Sequence, residues 1–329
     1  MDKQEWLHFF QTGDNGGEIS CGFWKHFGAD EQQGEKAIEA HIRYYQETGV
    51  PLVKVMNEHY FQLQTPVRTP EDWAQIPEMD LYEIGYGAYL EEIRQIRERL
   101  GKEAFILATI HGILVSACHA TEGVGRFPDP NNLVTCHLKE KPEAVARGLE
   151  KIGQTLEQLC LACLEAGADG IYYALLGAEE HRFSEELFSR YVKPAEIRLL
   201  EHVKEKGIVF LHICKDSPRL PMLRDYPAHV VNWAVNDGNY SLSDGAELFP
   251  DKIIMGGFDN RQGILFTGTE EELAAEMERM ADVVGRRRIL IGADCTIPAS
   301  MPSAQIRRAV EACRKVSEKG SEKLGGRQK

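Results

Sequence analysis

The sequence has little positive charge, no long apolar run and no secretion signal. It contains 38 lysines and arginines against 51 aspartates and glutamates, and its formal net charge is −13. Without a basic stripe to neutralise phosphates, nucleic acid is excluded as an expected partner. No apolar run reaches membrane-spanning length, and no apolar signal segment follows the charged start of the chain. We therefore expect a cytoplasmic protein that does not contact a membrane.

A disulfide framework is not expected either, although the chain has eight cysteines. Thiols stay reduced in the cytoplasm, so each cysteine is a core residue, a metal ligand or a nucleophile. Cys160 and Cys163 form a Cys-x-x-Cys pair within an apolar helical segment. Because no second cysteine pair accompanies it, the spacing favours core packing. Cys118-His119 and Cys136-His137 are adjacent pairs in or near a loop, and a metal shared within either pair is not expected.

Short apolar segments alternate with helical segments along the chain. Eight of them are predicted strands, at residues 19–24, 50–56, 103–110, 170–175, 207–214, 229–233, 252–258 and 288–293. Strands that alternate with helices predict a (β/α)8 barrel. An open doubly wound sheet is the alternative, but the first strand–helix turn lacks the Gly-x-Gly-x-x-Gly pattern. We expect one barrel domain over residues 1–329, with a helical excursion around 60–100 and a flexible tail over 318–329.

The strongest chemical signal is at the end of the fifth predicted strand, where His212 and Cys214 are two residues apart. Alternate residues of a strand point the same way, so both side chains project from one face. Cys295 follows the eighth predicted strand at the same end of the barrel. One imidazole and two thiols suit a zinc ion, and three protein ligands leave one position open, as in catalytic sites.

Other polar residues follow the predicted strands at this end of the barrel. Glu58 and Asp259 are candidate acid–base groups, although ordinary hydrogen bonds of the rim explain them equally well. Glu179, Glu180 and His181 follow the fourth strand, where a solvated loop is the favoured interpretation over a fourth metal ligand. The predicted substrate wall consists of Trp24, His26, Asn57, His111, Tyr172 and Asn232.

Most of the chain resembles the uroporphyrinogen decarboxylase superfamily. The segments that carry the resemblance are residues 168–173, 230–233, 254–259 and 291–298. The resemblance implies a (β/α)8 barrel with its site at the C-terminal mouth. The decarboxylase branch has an Arg-Gln-x-Gly-Arg motif after the first strand and an aspartate after the second. Residues 23–27 and 55–59 contain neither, so porphyrinogen decarboxylation is not expected.

The second branch of the superfamily resembles this chain more closely. It contains the zinc-dependent corrinoid methyltransferases, whose signature is His-x-Cys on one strand and a distant cysteine. His212, Cys214 and Cys295 occupy those positions. The resemblance implies that a methyl group moves between a small-molecule heteroatom and the cobalt of a corrinoid. The sequence shows no Asp-x-His-x-x-Gly corrinoid motif, so a separate corrinoid protein is the expected partner.

Two other classes of function remain open at the level of sequence. One is a metal-free decarboxylase of a smaller substrate, built on Glu58 and Asp259. The other is a non-catalytic module that binds a corrinoid or another ligand. The methoxy aromatic, thiol or amine that exchanges the methyl group is not specified by the sequence, nor is the oligomeric state, for which a homodimer is one option.

Overall fold

A computed structural model describes residues 1–325. Its strands are β1 Ser20–Gly22, β2 Leu52–Val55, β3 Phe105–His111, β4 Gly170–Leu175, β5 Ile208–Ile213, β6 Val230–Trp233, β7 Ile253–Phe258 and β8 Ile289–Ala293. All neighbouring strands pair in parallel, in the order β1-β8-β7-β6-β5-β4-β3-β2. The sheet therefore curls into a nearly closed barrel, with a seam between β1 and β2. The predicted (β/α)8 barrel is confirmed.

Helices surround the barrel or close its ends. They are α1 Lys3–Thr12, α2 Gly34–Thr48, α3 Gly87–Leu100, α4 Ile113–Glu122, α5 Leu133–Glu140, α6 Pro142–Glu165, α7 Glu185–Leu187, α8 Lys193–Lys204, α9 Leu242–Leu248, α10 Ile264–Thr267, α11 Glu270–Val284 and α12 Ser303–Gly325. A π-helical turn, Phe188–Val192, joins α7 to α8. Short 3-10 turns lie at Ala29–Glu31, Pro70–Gln75, Leu220–Leu223, Val235–Asp237 and Arg286–Arg288.

The strands are buried on both faces, as expected for a parallel sheet covered by helices. One apolar layer lies between the strands and the outer helices. A second, smaller cluster fills the barrel and includes Leu52, Phe105, Tyr172 and Phe210. Because the barrel is packed with side chains, chemistry is confined to its C-terminal mouth.

Helix α1 closes the bottom of the barrel, and the sequence analysis did not anticipate it. Asp2 caps the helix and forms a capping box with Glu5. Trp6, Phe9 and Phe10, at the i, i+3 and i+4 positions of one face, are buried. The ring of Phe10 lies 5.2 Å from Phe105 and 5.0 Å from Phe210 inside the barrel. The capping box and the aromatic spacing are signals that the sequence did contain.

The loop at residues 123–132 is flanked by two helices that the sequence analysis also missed. Cys118 and His119 lie on α4, and Cys136 and His137 lie on α5, so both pairs are helical. Helix α12 continues to Gly325 and overlaps the tail predicted at 318–329, whose last four residues lie outside the described residues. Over residues 1–325, every helix is too short or too polar to cross a membrane.

Candidate metal centre

Strand β5 and the end of β8 bring the three predicted metal ligands to the same place. His212 is the penultimate residue of β5, and Cys214 is the first residue after the strand. The backbone N–H of Cys214 donates to the carbonyl of Leu175 at 2.9 Å, so the strand geometry continues past β5. This continuation keeps the side chains of His212 and Cys214 on one face. Cys295 lies two residues beyond β8, at the same mouth.

The three side chains converge closely enough to share one ion. One ligand atom from each of His212, Cys214 and Cys295 lies within 4.8 Å of the other two. The Sγ of Cys295 is 3.4 Å from Nε2 of His212. His212 is only 3% exposed, whereas both cysteines are partly exposed. A buried imidazole beside two sulfurs that reach the mouth is the donor set expected for a zinc site with an open position.

Asn232 on β6 fixes the tautomer of His212. Its Nδ2 donates to the carbonyls of Met255 at 3.0 Å and Ala293 at 3.2 Å, which identifies the other amide atom as oxygen. That Oδ1 lies 2.6 Å from Nδ1 of His212, so Nδ1 carries the proton. Nε2, which faces Cys295, is then left with a free lone pair. Supporting contacts of this kind orient the imidazoles that bind metals.

The two thiols interact strongly with each other. A hydrogen bond from Cys214 lowers the pKa of Cys295 well below its ordinary value, and the adjacent His212 acts in the same direction. The same bond, together with burial, raises the pKa of Cys214. Cys295 is therefore the more acidic thiol of the pair, and the chemistry of the set fits a soft divalent cation.

Aromatic rings and a lysine form the wall next to the three side chains. The Tyr172 ring stacks on His212 at 5.3 Å, and Trp24 meets Tyr172 edge-on at 5.0 Å. The Nζ of Lys54 lies 4.7 Å from the centre of the Tyr172 ring and 5.7 Å from that of Trp24. The sequence analysis missed Lys54. The feature of the sequence that could have identified it is a charged residue within an apolar strand, two positions after Leu52 and therefore on the same face.

A second group of polar residues follows β2 and β3 around the mouth. Glu58 accepts a hydrogen bond from the Tyr60 hydroxyl at 2.7 Å and lies 3.6 Å from Nδ1 of His26. Burial raises the pKa of Glu58, but hydrogen bonds from His26 and Tyr60 outweigh it, and the net shift is downward. The His111 ring lies parallel to Tyr60, at 5.9 Å between ring centres. Burial lowers the pKa of His111 to about 3, so this imidazole is neutral at physiological pH.

Several other predicted site residues are already bound to protein groups. Asn57 is 3% exposed, donates to the Thr109 carbonyl at 3.1 Å and accepts from the His59 amide at 3.0 Å. The carboxylate of Asp259 accepts from the Arg261 amide at 2.7 Å in a local turn. Asp259 follows β7, and Glu58 follows β2, so β8 and β1 separate the two candidate acid–base groups around the barrel.

The loop after β4 is solvated at Glu180 and His181, as the sequence analysis favoured, but not at Glu179. Glu179 is 1% exposed and lies 3.2 Å from Arg182, which is equally buried. Arg182 also donates to the Phe127 carbonyl at 2.8 Å and therefore ties this loop to the one after α4. The second oxygen of Glu179, Oε2, has no hydrogen-bond partner among the described residues. The correction follows from Arg182, whose charge requires a buried counterion.

Comparison with known proteins gives a family match and several relatives. The family model described as uroporphyrinogen decarboxylase (URO-D) matches residues 3–316. The chain is 27% identical over 250 residues to the methylcobamide:CoM methyltransferase MtbA of Methanosarcina acetivorans, a match that covers 75% of this chain and 69% of the relative.

Solved structures share the fold. A methyltransferase from Methanosarcina mazei superimposes with a TM-score of 0.71 at 17% identity, covering 91% of this chain and 94% of that one. A B12-independent methionine synthase from Shewanella sp. W3-18-1 superimposes with a TM-score of 0.59 at 13% identity, covering 94% and 98%. At these identities the structural likeness concerns the fold alone.

Proposed function

This chain belongs to the uroporphyrinogen decarboxylase family, and on that premise we propose that it is a zinc-dependent methyltransferase. It moves a methyl group between a small-molecule heteroatom and the cobalt of a corrinoid held by a separate protein. The observation that carries the proposal is the convergence of His212, Cys214 and Cys295 within 4.8 Å at the barrel mouth. The similarity to a methylcobamide:CoM methyltransferase supports the type of reaction.

The protein side of the site has two tasks in this proposal. Asn232 holds the proton on Nδ1 of His212 and thereby leaves Nε2 as a ligand atom. Cys295 provides a sulfur ligand atom next to that nitrogen, and the Cys214 hydrogen bond lowers the pKa of its thiol. When bound, zinc supplies Lewis acidity that lowers the pKa of a substrate thiol or withdraws electrons from an ether or amine heteroatom.

The surroundings determine where substrate and partner bind. Trp24 and Tyr172 are 5% and 2% exposed and form an apolar floor beneath the three ligand side chains. His26, Glu58 and His111 form another part of the mouth, in which His26 is the exposed member, and we propose that the small molecule contacts the protein there. The methyl group must reach cobalt on another chain, so the corrinoid protein docks over this mouth.

A metal-free decarboxylase is the weaker candidate. Residues 23–27 and 55–59 lack the arginines and the aspartate of the decarboxylase branch. The remaining carboxylates, Glu58 and Asp259, have protein hydrogen-bond partners and lie on different sides of the barrel. We keep them as candidate acid–base groups of the methyl transfer, acting on a proton of the substrate.

Metal content and methyl transfer test the proposal together. The protein is purified without chelators under reducing conditions, and zinc is measured in the wild type, His212→Ala and Cys295→Ser. About one zinc per chain is expected in the wild type and is lost in both variants. Cys136→Ser and His202→Ala, which replace an exposed cysteine and an exposed histidine, should retain it.

Transfer is then followed by the absorbance of methylcobalamin in the presence of a small thiol. Demethylation that requires zinc and disappears in the two ligand variants supports the methyltransferase. A native protein without metal, or one in which Cys214→Ser has no effect on activity, contradicts it and favours the carboxylate-based alternative.

A further inference from the structure

Lys54 places a positive charge inside the barrel, directly below the mouth. It lies on β2, two residues after Leu52, and the alternation of the strand directs both side chains to the barrel interior. It is only 5% exposed. Its ammonium group is enclosed by the rings of Tyr172 and Trp24. Rings of this kind stabilise a cation, but they do not neutralise it.

Among the side chains that the structure describes, no carboxylate lies close enough to Lys54 to form an ion pair, and Glu58 acts on it only at longer range. The hydrogen bond of Lys54 goes to the thioether sulfur of Met56 at 3.1 Å, which is a weak acceptor. Lys252 provides the contrast, because it is also 5% exposed yet forms an ion pair with Asp251 at 3.3 Å. A buried ammonium without a counterion is costly for folding. The cost indicates that the charge has a use in the working site.

The groups that stabilise the charge of Lys54 include both cysteines of the candidate metal centre and, outside the centre, Glu58. Burial lowers the pKa of Lys54 to about 8, and negative charge on Cys295, Glu58 and Cys214 opposes that shift. Tyr172 connects the two regions, because its ring contacts both the ammonium group and the His212 ring. The ammonium group therefore interacts electrostatically with the thiols without being a ligand itself.

We propose that Lys54 is a positioning residue that supplies the countercharge for an anionic ligand at the fourth position of the centre. The inference rests on the proposed function. A neutral imidazole, two thiolates and a divalent cation sum to zero charge. A ligand with a negatively charged heteroatom leaves one excess negative charge, which the ammonium group offsets. A neutral ether or imidazole ligand gains nothing from it, so Lys54 selects for ligand charge.

The test compares two probes that differ in charge at the bound atom. The protein is loaded with Co²⁺ in place of zinc, and binding of 2-mercaptoethanol and of imidazole is followed by absorbance between pH 6 and 9. In Lys54→Met, thiol affinity at pH 7 should fall about tenfold, and the pH midpoint of thiol binding should rise by about one unit. Imidazole affinity should stay the same.

Two further variants complete the design. Lys54→Gln removes the charge with a polar side chain and should reproduce the result if methionine packs poorly at this position. Lys252→Met removes an equally buried lysine that already has its own counterion and should change neither ligand's affinity. Equal weakening of thiol and imidazole in the Lys54 variants would indicate a merely structural role and overturn the inference.

The two proposals fail in distinguishable ways. A wild-type protein that takes up neither zinc nor cobalt contradicts the metal centre and the role of Lys54 together. A metal-loaded Lys54→Met protein that binds both probes as the wild type does contradicts the role of Lys54 alone.

Discussion

Replacing Asn232 with alanine tests whether the metal centre is organised by its supporting contacts. The amide of Asn232 makes four hydrogen bonds, to His212, Tyr172 and two backbone carbonyls. Alanine removes all of them in a site that is 1% exposed. Each net hydrogen bond contributes about 1 kcal/mol, so the metal-free protein should lose about 4 kcal/mol of unfolding free energy.

Metal affinity should fall as well, for a separate reason. Without Oδ1 of Asn232, nothing holds the proton on Nδ1 of His212, and the ring is free to rotate or change tautomer. Loss of such a supporting contact weakens metal binding by about 10- to 100-fold. Zinc affinity is measured by competition with a chromophoric chelator, and unfolding of the metal-free protein is measured in urea.

Asn132→Ala is the matched control for this variant. Asn132 is fully buried, donates to the carbonyls of Phe127 and Asp129, and accepts from the Thr135 amide. It should lose a similar unfolding free energy and retain zinc affinity. If both variants weaken zinc binding equally, or if Asn232→Ala binds zinc as the wild type does, Asn232 does not organise the centre.

Three further predictions concern the scaffold. Phe10→Ala removes the ring of α1 that packs on Phe105 and Phe210. The free energy of unfolding, measured in urea, should fall by about 3–5 kcal/mol. An unchanged urea midpoint would show that α1 does not support the barrel. Burial raises the pKa of Glu196 to about 7. Between about pH 4.5 and 7 the folded state therefore keeps a proton that the unfolded state has released. The free energy of unfolding consequently falls as the pH rises through this range. Glu196→Gln should therefore gain stability relative to the wild type by up to about 3 kcal/mol between pH 4.5 and 7, whereas a constant difference across that range would contradict the shift. Arg182→Met leaves Glu179 buried without its counterion and should lower the free energy of unfolding by about 3–5 kcal/mol. The Glu179→Gln, Arg182→Met double variant should recover part of this loss in a double-mutant cycle measured by thermal or urea unfolding. Strict additivity of the two single changes would argue against the ion pair.

The parts of the fold that depend on local pattern could be predicted from the sequence. Residues 170–175 were predicted as a strand with the bounds that β4 has in the structure. The His-x-Cys spacing on β5 was sufficient to place two side chains on one face, because strand alternation is a local property. The position of Cys295 depended on the barrel itself, which brings the ends of β5 and β8 to the same mouth.

What could not be predicted depends on contacts between distant parts of the chain. The role of Asn232 as a partner of His212 requires the register between β5 and β6, in which these two residues are paired directly. Lys54 was missed, because its electrostatic interaction with the thiols arises only in the closed barrel. Glu179 was assigned to solvent because its counterion, Arg182, is held by backbone carbonyls of a separate loop.

X-ray absorption at the zinc edge identifies the atoms that bind the metal. We predict that zinc in the wild-type protein is bound by two sulfur atoms and one imidazole nitrogen, supplied by Cys214, Cys295 and His212. Any zinc retained by Cys295→Ser at high zinc concentration should show one sulfur fewer. Zinc bound only by oxygen and nitrogen in the wild type, or a native protein that contains no zinc, would contradict a metal centre built from these three residues.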